Sequence, residues 1–250
     1  MKKYIPIAAT FGFALLAAFF FKIVFKGVTP EREKAVQTTE ANMASSFHDQ
    51  IPGAMIALPQ PIIDGTMSLE KALSLRRSTR SYADEPLSLA EISQLLWAAQ
   101  GINHEKGLRT APSAGATYPL ELFVMVNQAE GLSKGIYHYW HEGHKLELTD
   151  KREIEKELAR AALSQSMISE AGIVIIFAAI FERTTKSYGE RGIRYIHNEV
   201  GHVAQNIYLQ AAALNLGTVA IGAYRDEALE TLLNLGEDYH VLYLMPVGKI

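Results

Sequence analysis

Apolar residues recur at helical spacing in two long stretches of this chain. Leu89, Ile92, Leu95, Leu96 and Ala99 share one face of a helix that opens on the capping box Ser88-Leu89-Ala90-Glu91 and ends at Gly101. Ile193, Ile196, Val200, Ala204, Ile207, Ala211 and Leu214 mark a longer helix, about Ile193–Leu216, with Gly217 at its C-cap position. Shorter helices are expected from a Ser68 cap through Ala72, Leu73 and Leu75, over Lys151–Leu163, and from an Asp226 cap through Leu232. Other segments read as strands. Glu121–Asn127 is one, and the unbroken apolar run Ile173–Ile180 suits a strand buried on both faces. Ile136–Trp140 and Lys145–Leu148 form a hairpin turned at Glu142-Gly143, and Thr218–Ile221 and Val241–Val247 complete the set. Hairpin pairing mixed with long helices predicts an α+β domain, a mixed central sheet flanked by helices, rather than a regular βαβ repeat.

The N-terminus follows a different pattern. Eighteen uncharged residues, Tyr4–Phe21, follow Met1-Lys2-Lys3, and Ile23-Val24-Phe25 continue past Lys22. At about 1.5 Å per residue, Tyr4–Phe25 approaches the ~30 Å hydrocarbon thickness. Phe19-Phe20-Phe21-Lys22 closes the run, where a cleavage site would need small residues, so a retained single-pass anchor over 1–27 is favoured over a cleaved signal peptide. Residues 28–60 read as a polar, proline-containing tether and 61–250 as the folded domain, which the export-like N-terminus places outside the cytoplasm. The formal net charge of -3 gives no electrostatic case for nucleic acid. With no cysteine, disulfides, thiolate metal sites and cysteine nucleophiles are excluded.

Two segments carry candidate chemistry. Arg76-Arg77-Ser78-Thr79-Arg80 supplies three guanidiniums within five positions. If helical, it puts Arg76 and Arg80 on one face, and guanidinium forks match phosphate geometry. The bland alternative is a set of arginines serving only a helix C-terminus and solvent. Arg109 to Glu121 contains Ala111-Pro112-Ser113-Ala114-Gly115-Ala116, whose small side chains let a ligand approach the backbone; the alternative is an ordinary turn before a strand. His138, His141 and His144, and the pair His197 and His202, lack the i, i+4 spacing of a zinc hydrolase, so no metal site is expected.

Arg-Arg-Ser-x-Arg followed by Pro-Ser-Ala-Gly-Ala-x-Tyr-Pro-Leu-Glu resembles the nitroreductase family, in particular its SagB-type, thiazoline-oxidase-like branch. The likeness continues through Gly135–Tyr139, Tyr188–Gly192, Glu199-x-Gly201-His202-x-x-Gln205-Asn206, Ala220–Tyr224 and Pro246–Lys249. It covers about residues 68–250. The resemblance implies a homodimer with FMN at the subunit interface, passing hydride by a ping-pong mechanism from a possible NAD(P)H donor to a small conjugated acceptor such as a nitroaromatic or quinone, or else dehydrogenating a substrate. It implies that Arg76 contacts the phosphate with Lys249 as a second cation. Arg77 and Ser78 would lie near the phosphate and ribityl chain, and Arg80 at the pyrimidine edge. Pro112, Ser113, Ala114 and Gly115 would face the flavin from the other subunit, and Ile221 and Gly222 would present backbone to the ring. Branch members that oxidise azolines use an adjacent Lys-Tyr pair. Here Tyr188 matches as the catalytic candidate, but Ser187 precedes it and Lys186 is displaced by one position. The rival readings are a membrane-tethered flavin-binding module without catalysis and a histidine-based metal hydrolase.

Overall fold

A computed structural model describes residues 51–250. The expected anchor over 1–27 and the tether as far as residue 50 lie outside the described residues. Among the described residues no helix is long and apolar enough to cross a membrane.

Among the described residues seven strands form one sheet. In chain order they are β1 (Met55–Ala57), β2 (Leu120–Val126), β3 (Gly135–Trp140), β4 (Lys145–Asp150), β5 (Ile173–Ile180), β6 (Leu216–Thr218) and β7 (Tyr239–Lys249). The spatial order is β1-β4-β3-β2-β5-β7-β6. Every neighbouring pair is antiparallel. Among the described residues the one parallel pairing is an isolated bridge outside these strands, Leu87 to Ala129. Strand β1 pairs Met55 with Glu147, so the domain takes in chain that the sequence reading assigned to the tether. Leu58 is buried and its N–H donates to the His144 carbonyl, which extends that attachment.

The helices are α1 (Leu69–Leu75), α2 (Leu89–Gln100), α3 (Glu155–Ala161), α4 (Met167–Glu170), α5 (Glu182–Tyr188), α6 (Arg191–Ala213) and α7 (Asp226–Leu233). Strand side chains alternate between faces with period two. Leu120, Leu122, Val124 and Val126 of β2 join Ile173, Ile175, Phe177 and Ala179 of β5 in one core cluster, which also holds Ile92, Leu95 and Leu96 of α2 and Ile196, Val200, Val203 and Ile207 of α6. The intervening Phe123, Met125, Val174 and Ile176 pack on the other face with Leu158 of α3 and Leu229 of α7. Both faces are covered, which is why β5 reads as an unbroken apolar run instead of an alternating one.

Local signals held where they depended on near neighbours. Ser68 Oγ accepts from Lys71 N–H, and the Ser88–Glu91 capping box is complete. Gly101 ends α2, although its φ of -66° is ordinary. Glycine is needed there because a Cβ would sit 2.2 Å from Trp97 Cδ1. The left-handed residue after α6 is Asn215, at φ 56°, while Gly217 lies inside β6. Asp226 is the first residue of α7 and Arg225 is its cap. Lys151–Leu163 shortens to α3.

Candidate functional site

The arginine segment has no regular secondary structure, so the helical condition for placing Arg76 and Arg80 on one face is not met. Helix α1 stops at Leu75, and Arg76 turns away at φ -48°, ψ 123°. Tertiary hydrogen bonds then set the path. Thr79 N–H donates to Thr218 O at 2.9 Å, and Ala83 N–H to Lys249 O at 2.9 Å. Gly217 and Gly248 are register partners on β6 and β7. A Cβ on Gly217 would lie 2.8 Å from Thr79 Cγ2, and one on Gly248 would lie 2.7 Å from Tyr82 Cβ. This glycine pair clears the seat on which residues 79–82 rest, and Arg80 is held between the two seated side chains. Gly248→Val is therefore expected to unseat the segment and cost about 1–3 kcal/mol through overpacking. Thermal melting checks it.

Tyr208 of α6 gathers the surrounding groups. Its ring lies under the Arg76 guanidinium at 5.2 Å, its hydroxyl is 3.1 Å from Ser78 Oγ, and it accepts from Ala220 N–H at 2.7 Å. Ile221 follows directly, bridged to Leu244 by two backbone hydrogen bonds. Gly222 is exposed, with Tyr243 Cε1 3.1 Å from where a Cβ would stand. One chain thus brings Arg76, Ser78, Ile221 and Gly222 together around Tyr208. Sequence reading missed Tyr208, because nothing local distinguishes it from other residues of an amphipathic helix.

The cations differ in their engagement. Arg77 folds back, donating through Nη1 to Ser74 O and Arg76 O, so it caps α1 as the bland alternative held. Arg76 and Arg80 have no carboxylate partner among the described residues. Lys249 does: its Nζ meets Glu91 Oε1 at 2.5 Å, with both residues half-buried. Burial pushes the Glu91 carboxyl up, but hydrogen bonds from Lys249 and Ser88 outweigh it and hold the group below the usual carboxylate range. Lys249, expected as a second cation, is thus engaged by a carboxylate of its own chain.

Pro112–Gly115 lies elsewhere. Gly115, Ala116 and Tyr118 have φ of 59°, 53° and 44°, left-handed positions of which two are not glycine, and Thr117 at φ -78° interrupts them. The segment is pinned from several sides. Tyr118 N–H donates to Ser113 Oγ at 2.9 Å, Arg109 N–H donates to the Tyr118 hydroxyl, and the Arg109 guanidinium covers the Tyr118 ring at 4.3 Å. Thr117 Oγ1 meets Thr184 Oγ1 of α5 at 2.8 Å. Tyr188, the last residue of α5, reaches this loop: a Cβ on Gly115 would lie 2.6 Å from its hydroxyl. Tyr188 is 40% exposed and stacks edge-on against Tyr195 of α6. Lys186 is two positions earlier on the same helix, about 200° around it, so the two do not form a pair.

Helix α6 carries both groups of residues but holds them apart. Glu199, beside Ser113, and Tyr208 are nine residues apart on α6. At ~1.5 Å and ~100° per residue, that is about 14 Å along the axis and about 180° around it. The arginine half and the loop half therefore stand on opposite faces of one helix.

The histidines have separate employment. His138 Nε2 pairs with the buried Glu121 at 2.9 Å, and Arg183 Nη1 takes the other oxygen at 2.5 Å. Burial acts to raise the Glu121 carboxyl, and these two hydrogen bonds bring it below its ordinary range. His141 Nε2 meets Arg109 Nη2 at 2.9 Å, and His144 lies between Ser93 and Tyr139. Burial lowers both of the latter rings. Among the described residues no group of three or more metal-ligating side chains is assembled.

Residues 73–249 match the model of the nitroreductase family. The chain belongs to that family. A Methanocaldococcus jannaschii protein provisionally named a nitroreductase is 50% identical over 183 residues, covering 73% of this chain and 91% of its own. The Escherichia coli microcin B17-processing protein McbC is 26% identical over 136 residues, covering 52% of this chain and 49% of its own. A crystal structure of a provisionally named nitroreductase from Ralstonia eutropha superposes with a TM-score of 0.68 at 28% identity, covering 80% of this chain and 95% of that one. McbC supports the SagB-type branch. As a nitroreductase-family protein, the chain is an oxidoreductase.

Proposed function

We propose that this nitroreductase-family chain is an FMN-dependent oxidoreductase of the SagB-type branch, working as a homodimer. The carrying observation is the seated arginine segment. Arg80 belongs to the segment seated on the glycine-cleared sheet edge, Arg76 lies over Tyr208, and among the described residues neither has a carboxylate partner, which suits a phosphorylated, anion-forming cofactor. FMN, when bound, supplies two-electron transfer between a reduced donor such as NAD(P)H and a small conjugated acceptor, a nitroaromatic or a quinone. Arg76, braced by Tyr208, would hold the phosphate. Ser78 would supply a hydroxyl beside it. Arg80 would stabilise negative charge at the pyrimidine edge. Ile221 and Gly222 would offer backbone to the ring. Lys249 would act through Glu91, fixing the start of α2.

The opposed faces of α6 supply the argument for two protomers: Pro112, Ser113, Ala114 and Gly115 can complete a site only on a neighbouring chain. An apolar groove supports that pairing. Ile62, Ile63, Leu69, Ala72, Trp97 and Leu209 line it, and Ile63 is 77% exposed. Exposed apolar side chains on that scale mark a protein interface.

Tyr188 is assigned as substrate contact and proton donor. The displaced Lys186 favours reduction of small acceptors over azoline dehydrogenation. Tyr188→Phe is expected to lower kcat about 10²-fold while leaving FMN affinity unchanged. Steady-state kinetics beside flavin fluorescence titration checks both. Gly115→Ala, which pushes a methyl against the Tyr188 hydroxyl, is expected to lower kcat as well and, because Gly115 faces the flavin, to weaken FMN binding with it.

The test is direct. Purified protein mixed with FMN should bind it, be bleached by NAD(P)H and regain its yellow colour on adding a quinone, with parallel double-reciprocal plots. FMN bound but never bleached by any donor would favour the non-catalytic flavin module.

A further inference from the structure

Glu199 is a buried titratable side chain with no part in the chemistry above. It sits on α6, is 3% exposed, and its carboxyl faces groups from two other elements. Gln100 comes from the end of α2, and Arg109 and Ser113 come from the loop before β2. Arg109 looks like a counter-ion but is committed elsewhere. Nη1 donates to Gln100 Oε1 at 2.9 Å, Nη2 meets His141 Nε2, and the guanidinium plane covers Tyr118. Among the described residues, Glu199 Oε1, Gln100 Nε2 and Arg109 Nε have no hydrogen-bond partner. A carboxylate buried with an unpaired oxygen is costly, and a neutral acid there costs far less. Burial raises this carboxyl to about 7, with Ser113, Arg109 and Gln100 acting in the other direction. Glu121 and Arg183, farther out, act on Arg109 with opposite signs.

Ser113 connects this acid to the proposed site. Its oxygen accepts from Tyr118 N–H, which leaves one lone pair and the hydroxyl hydrogen for the hydrogen bond it shares with the Glu199 carboxyl. An ionised Glu199 can only accept, so it draws that hydrogen inward. A protonated Glu199 donates to the free lone pair, and the hydrogen is released toward the outer face of the loop.

We propose that Glu199 is a positioning residue whose proton sets which way the Ser113 hydroxyl points, and through it the grip of the Pro112–Gly115 loop on the cofactor. The step moves one proton between solvent and the carboxyl and breaks no other bond. The proposal rests on the reading that this loop faces FMN.

The experiment is an FMN fluorescence titration of wild type, Glu199→Gln and Ser113→Ala from pH 6 to 8.5. The phosphate's own titration is common to all three, so the differences between them carry the test. Wild type should lose roughly three- to tenfold in affinity relative to Glu199→Gln as pH rises through about 7, the worth of one hydrogen bond. Glu199→Gln, whose amide donates at every pH, should hold the tight value. Ser113→Ala should hold the weak one. Identical pH profiles for wild type and Glu199→Gln, with FMN bound, would overturn the proposal alone. Absence of FMN binding at every pH would overturn the functional reading and this proposal with it. Melting of the FMN-free proteins adds a readout independent of the cofactor. A folded-state value above the unfolded one means the native state holds the proton more tightly, so wild-type stability falls between pH 4.5 and about 7 and stays lower above that. Glu199→Gln should gain on wild type across that window, and a constant gap would contradict a proton on Glu199.

Discussion

Replacing Arg76 and Arg80 together by alanine is expected to weaken FMN binding by about 10²- to 10⁴-fold, because each removes a charge-assisted contact worth ~1.5–3 kcal/mol. Fluorescence titration of the apoprotein measures it. The fold should survive. Arg76 is half-buried and Arg80 exposed, neither holds an ion pair among the described residues, and the cation–π contact on Tyr208 is the main loss. A melting temperature within a few degrees of wild type separates the loss of binding from a loss of structure. Arg77→Ala should cost far less affinity, since that guanidinium is turned onto the end of α1.

The second large effect is on stability. Phe177→Ala in β5 is expected to cost about 3–5 kcal/mol. Phe177 is fully buried, lies in the strand between β2 and β7, and meets Tyr243 edge-on at 6.3 Å. The cavity would open between the sheet and the helix layer that carries Tyr208 and Glu199, where strands paired on both sides leave little room to collapse. At ~2–4 °C per kcal/mol for a domain of this size, the melting temperature should fall by roughly 10–15 °C. Calorimetry or circular dichroism checks it.

These effects separate what was legible in the sequence from what was not. Periodicity exposed α2, α6 and the buried β5, because burial repeats every 3.6 or 2 residues whatever the rest of the chain does. The Ser68 and Ser88 caps were legible for the same reason, their partners lying three residues away. The conformation of the arginine segment was not. Its path is set by Thr218, Pro246 and Lys249, more than a hundred residues along the chain. No local rule predicts extended backbone after a helix of good formers. The Lys249–Glu91 pair was illegible for a related reason, since the two are 158 residues apart. Motif order located Ser113 and Gly115 correctly as a loop. The Tyr188 hydroxyl above it and the Glu199 carboxyl beside it became visible only when α5 and α6 were packed against it. Tyr208 carried no sequence signal at all.

The central claim is that one flavin is held by the arginine segment of one protomer and the Pro112–Gly115 loop of its partner. Mixed dimers test it most directly. Arg76→Ala/Arg80→Ala and Gly115→Val protomers each ruin every site in their own homodimer. Denatured together and refolded, they form hybrids with one intact and one doubly damaged site. Half the dimers are hybrids at random pairing, so FMN binding should return to about a quarter of the wild-type amount. A mixture that binds no more FMN than the two variants kept apart would contradict the shared site.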